Sequence, residues 1–139
     1  MPVPQNPAAR KYFRAAGQRW EDAEFLLQAG RMLGAVYLAG YCVECLLKAL
    51  ILCQVPAGKR EQVREQFRGG KAHDFVWLRD MYRVHKGPNL PPDVVEAFSE
   101  VAIWDTDLRY EPGTVADDDA IAFLRAAEVI RVWADGRMS

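Results

Sequence analysis

The stretch Ala35-Val36-Tyr37-Leu38-Ala39-Gly40-Tyr41-Cys42-Val43-Glu44-Cys45-Leu46-Leu47-Lys48-Ala49-Leu50 decides how this chain folds. The apolar run around it extends from Met32 to Cys53 and is interrupted only by Glu44 and Lys48. It is long enough to cross a bilayer. A lysine near the middle, however, costs about 3 kcal/mol on insertion scales, and the neighbouring segments are amphipathic. We therefore read it as a helix buried at the centre of a helical bundle, with no membrane contact. Tyr37, Tyr41, Glu44 and Lys48 recur at i, i+4, i+7 and i+11 and share one face. Glu44 precedes Lys48 by four residues, the favoured order for a helical ion pair. Unpaired buried charge is expensive, so both must find partners. The pair is either a structural network joining helices or the floor of a polar pocket.

Upstream, Asn6 can cap a helix whose first position suits Pro7. Tyr12, Phe13, Ala16, Trp20, Ala23 and Leu27 follow at helical spacing, and Ala29-Gly30 ends the run. Downstream, Pro56-Ala57-Gly58 stops the central helix near Gln54, and a short charged helix is expected over Lys59 to Phe67. Another helix starts near His73-Asp74, carries Phe75, Leu78 and Tyr82, and closes at Gly87-Pro88-Asn89. Pro91-Pro92-Asp93 opens the next, with Val94, Phe98, Val101 and Trp104 inward and an end near Tyr110. The last runs from about Asp117 to Ala134, with Ile121, Leu124, Ala127 and Val132 inward. Trp20, Trp77, Trp104 and Trp133 then sit on four helices and read as core. No segment alternates with period 2, so no sheet is expected. The fold class is all-α, a compact bundle of about five to six helices forming one domain over residues 1–139.

The 139 residues are 50% hydrophobic and 27% charged, with a net charge of −1. That balance argues against a protein gripping nucleic acid over its whole surface. It leaves room for a local basic site. The N-terminus lacks the pattern of a signal peptide, and Cys42, Cys45 and Cys53 lie in the apolar stretch. A reducing, cytoplasmic setting is expected. Cys42-x-x-Cys45 has no second Cys/His pair near it, so these residues read as small core side chains. Neither a metal site nor a cofactor is expected.

Three further clusters bear chemistry. In Trp104-Asp105-x-Asp107-Leu108-Arg109-Tyr110, Arg109 can fork onto a phosphate or carboxylate and Tyr110 can stack on a base; a helix-end arginine and a packed tyrosine explain them equally. With Tyr41, Glu44 and Lys48 they form a candidate nucleotide site. Arg79-Asp80 and His85 suit RNA cleavage, the imidazole moving protons and the guanidinium balancing phosphorane charge. Six helical positions turn about 600°, so the two side chains converge only if the helix ends near Val84. Arg60, Arg64 and Arg68 recur every four residues and form a basic stripe, either a solvated face or a contact for an RNA backbone.

The central run, with its aromatic, glutamate and lysine positions, resembles the second helix of HEPN domains (higher eukaryotes and prokaryotes nucleotide-binding). His73-Asp74-Phe75-x-x-Leu78 is similar to that family's His-Asp-Leu segment, and Arg109-Tyr110 to its Arg-Tyr ending of a later helix. The resemblance spans about Arg14 to Val132. It implies an antiparallel bundle, usually homodimeric, and a link to nucleotides or RNA. It also implies a minimal nucleotidyltransferase partner, as in toxin–antitoxin or defence pairs. Ribonuclease members carry Arg, four to six residues, then His, and Arg79-Asp80…His85 fits that formula. Three functions follow: a nucleotide- or RNA-associated domain working with such a partner; a metal-independent endoribonuclease using Arg79 and His85 from both protomers; and a helical interaction module without nucleotide chemistry.

Overall fold

The computed structural model describes residues 3–86, 90–104, 112–113 and 115–138, the side chain of residue 86 apart. Among the described residues six α-helices follow in order: α1 Pro7–Gln28, α2 Met32–Gln54, α3 Arg60–Gln66, α4 Phe75–Lys86, α5 Pro92–Val101 and α6 Asp117–Asp135. Short 3₁₀ turns at Ala57–Lys59 and Gly70–His73 precede α3 and α4. Among the described residues there is no strand. The chain forms a compact antiparallel helical bundle.

The α1–α2 hairpin is fixed at both ends by polar groups. Asn6 caps α1 by accepting from the Ala9 amide (2.8 Å) and donates its own amide to the Leu52 carbonyl (3.1 Å). The start of α1 is thereby tied to the end of α2. At the other end Arg31 N–H reaches the Leu26 carbonyl (2.8 Å) and Gly30 N–H the Leu27 carbonyl (3.1 Å). This Schellman turn needs a left-handed residue, and Gly30 supplies it at φ +78.

Helix α2 is the hub, packed against α1, α4 and α6, while α5 packs on α6. From Leu46 to Leu52 every residue is buried, which is nearly two turns with protein on all sides. Its apolar length is thus matched by helices. Asp117, Asp118 and Asp119 stand in the first turn of α6, where the helix dipole favours them.

Two sequence expectations change. The helix expected to reach Tyr110 ends at Val101, and Trp104 lies beyond it in a turn closed by its N–H on the Val101 carbonyl (3.0 Å). That turn lays the indole on α2, where it is buried and its Nε1–H is bonded to the Tyr37 carbonyl (3.0 Å). Val132, expected inward, is 61% exposed. It lies two residues from both Ile130 and Ala134, the buried line of α6, and so about 200° away from them. Of the tryptophans, Trp20 and Trp104 are buried and Trp77 and Trp133 half-buried.

Candidate functional site

The ion pair in α2 is real and interior. Lys48 Nζ donates to Glu44 Oε2 at 2.9 Å, and both side chains are about 5% exposed. The ammonium also lies over two aromatic rings, 5.7 Å from the centroid of Tyr12 on α1 and 5.5 Å from that of Phe67 after α3. These contacts soften the burial of its charge. The second carboxylate oxygen, Oε1, meets Nδ1 of His73 at 2.8 Å. His73 arrives from the 3₁₀ turn before α4, and 42% of its side chain is exposed. One buried carboxylate therefore joins a core lysine to a surface imidazole.

Aromatic rings surround this chain of contacts. Tyr41 meets His73 edge-on at 6.4 Å and Trp104 at 5.1 Å. Tyr37 hydroxyl lies 3.3 Å from that of Tyr41. Phe75 stacks on Trp104 at 5.1 Å, nearly parallel. Asp74 accepts from the amides of Val76 (2.8 Å) and Trp77 (3.2 Å), which starts α4 directly after the histidine. Beside them opens a cleft of about 300 Å³, lined by Gly70, His73, Asp74, Phe75, Ala102 and Trp104 among others.

A family model for the HEPN domain matches residues 9–137, almost the whole chain. The chain belongs to the HEPN family. No curated protein and no solved structure matched it.

In this HEPN domain the residues singled out from sequence are not all together. Tyr41, Glu44 and Lys48 share the predicted face of α2. Glu44 and Lys48 are turned to the interior, and Tyr41 reaches towards the cleft through His73 and Trp104. Arg109 and Tyr110 lie outside the described residues. Helix α4 runs unbroken through Arg79 and His85, so the two stand about 120° apart around its axis and do not converge within one chain. Arg79 approaches Asp80 at 3.6 Å, and His85 is exposed. In the basic stripe, Arg60 and Arg64 are on α3, Arg64 pairs with Glu61 at 3.1 Å, and Arg68 follows the end of the helix.

His73 was missed as a site residue. In sequence it marked only a helix start and a family segment, and it stands 29 positions from the carboxylate it contacts. Trp104 was read as core, Phe75 as one face of its helix, and neither as a cleft wall. Burial pushes the Cys45 thiol up to about 11, with Glu44 adding to it, and holds the Cys42 thiol still higher. Among the described residues no three His, Cys, Asp or Glu side chains converge as a metal site.

Proposed function

We propose that this chain is a nucleotide- or RNA-binding HEPN domain whose ligand enters the cleft beside His73. The family is generally associated with nucleotides or RNA. The observation that carries the reading is the Glu44–His73 contact. A core carboxylate, itself held by Lys48, orients an imidazole that stays 42% exposed on the cleft wall. The network thus sets an imidazole on the wall of a concave pocket, where a ligand can reach it.

Titration of a labelled single-stranded oligoribonucleotide, and of ATP, followed by anisotropy and by tryptophan fluorescence, tests this. Ala102 is exposed on the cleft wall. Ala102→Phe should fill the cleft without entering the core and weaken binding at least 10-fold. Equal binding by the filled variant, or none by the wild type, would sink the proposal.

The same reading includes a second copy of the chain and a minimal nucleotidyltransferase as partners. Both partners come from the sequence resemblance, and exposed Phe25, Val84, Ile103 and Val132 are apolar side chains that an association could cover. Light scattering at micromolar concentration should show a dimer; a monomer only would remove that part.

A further inference from the structure

Helix α6 carries two lines of apolar side chains. One runs through Ile130 and Ala134 and is buried. The other, Ala122, Ala126, Val129 and Trp133, recurs at i, i+4, i+7 and i+11 and forms one wall of a groove against α5. Val132 stands beside this line, which accounts for an apolar side chain left 61% exposed. Ala97 and Pro91 complete the floor from the α5 side. The groove consists of two adjoining hollows of about 380 and 330 Å³, which share Asp93 and Val129. From Ala122 to Trp133 its wall is about 16 Å long, or three helical turns. The α5 lip is acidic. Asp93, Glu96 and Glu100 all line the groove and are exposed, and none has an ion pair among the described residues. Glu96 and Glu100 are four apart, a like-charge spacing that weakens a helix. On the other lip Glu128 already holds Arg131 at 3.0 Å, and Arg125 pairs with none of the three carboxylates. An unbalanced negative edge thus overhangs an apolar floor.

We infer that the α5–α6 groove receives a basic amphipathic helix of a partner protein. Its apolar stripe lies on the floor, and its lysines or arginines meet Asp93, Glu96 and Glu100. The small side chains of Ala97, Ala122 and Ala126 let a third helix axis come close. Three turns of groove match the i, i+3, i+4 and i+7 anchors by which a helix seats its apolar face. Cations on the partner relieve the repulsion along α5 and steer the encounter. A second copy meeting groove to groove does not fit, because a two-fold axis would set the acidic lip against itself. The inference does not rest on the ligand of the cleft beside His73.

The test uses the full chain and fluorescein-labelled synthetic peptides of about four helical turns. The first has leucines at i, i+3, i+4 and i+7 with lysines on both flanks. The second has glutamates in place of the lysines. The third has the composition of the first with the leucine spacing broken. Binding is read by anisotropy at about 50 and 300 mM NaCl. The first peptide should bind with micromolar affinity and more weakly at the higher salt. The other two should bind about 10-fold more weakly or worse. Glu96→Lys with Glu100→Lys should reverse the preference between the first and second peptides. Ala122 is exposed on the groove wall, so Ala122→Trp should block the groove and weaken the first peptide by about 10-fold or more. All three substitutions are on the surface, and circular dichroism should match the wild type. No binding of the first peptide, equal binding of the scrambled one, or an Ala122→Trp variant that binds as the wild type does overturns the inference. A dimer in light scattering that Ala122→Trp splits would make a second copy the occupant and overturn it as well.

Discussion

Trp104 lies so close against Gly40 that no Cβ fits between them. The indole occupies the space a side chain on α2 would take, and it donates to the Tyr37 carbonyl one turn earlier. Glycine in a helix interior normally costs about 1 kcal/mol relative to alanine, so an uncrowded Gly40→Ala would stabilise α2. Here we expect the reverse. Gly40→Ala should displace Trp104, lower stability by about 1–3 kcal/mol as overpacking does, and shift the tryptophan emission to the red. A urea midpoint at or above that of the wild type would mean Trp104 has another seat.

Removing one member of the buried pair should hurt more than removing both. Glu44→Ala strands the Lys48 ammonium between Tyr12 and Phe67 and takes the partner from His73. A loss of about 3–5 kcal/mol is expected. Glu44→Leu with Lys48→Met removes the stranded charge and should lose less. Comparing urea midpoints decides it, and equal midpoints would show that Lys48 reaches water once its partner is gone.

Cys45 should be nearly inert in the folded protein. With its thiol pushed up to about 11 by burial and by Glu44, roughly one molecule in a thousand carries the thiolate at pH 8. Iodoacetamide labelling of Cys45 followed by peptide mass spectrometry should be about 100-fold slower in buffer than in urea. Comparable rates would place the thiol at the surface.

Asp135 supplies a pH dependence. Burial raises its carboxyl above the ordinary range, and the Arg131 guanidinium at 3.5 Å opposes this without cancelling it. The folded state then holds the proton more tightly than the unfolded chain. Stability is greatest below the unfolded value, falls as pH climbs to the folded value, and stays lower above it. Asp135→Asn should remove that fall, so its melting temperature should gain on the wild type as pH rises from about 3.5. A variant that instead loses ground with rising pH would show the Arg131 pair to dominate.

The fold was legible because its main signals are local. Asn6-Pro7, Ala29-Gly30 and Pro91-Pro92 act on the backbone where they stand, and they put helix ends close to where the structure has them. Trp104 shows the limit. Its spacing from Val94, Phe98 and Val101 suits a longer α5, yet burial against Gly40 and a hydrogen bond to α2 turn the chain out of the helix. Val132 shows another: it was read inward, but the rotation of α6 on its neighbours puts the buried line through Ile130 and Ala134.

For the candidate site the division is the same. The sequence by itself determined that Glu44 and Lys48 would pair, because a spacing of four on a helix brings the two together whatever surrounds them. It also determined that they would need further partners, because the helix carrying them is apolar throughout. Which partners these are was decided only in three dimensions. His73, Tyr12, Phe67 and Trp104 come from four other segments, and no local rule links them to α2. The bundle brings them together because burying the apolar faces of α1, α4 and the turn after α5 against one hub helix leaves its charged face only these groups to meet. Lys48 is thereby enclosed, while His73, at the rim, turns Nδ1 to the carboxylate and stays 42% exposed on the cleft wall.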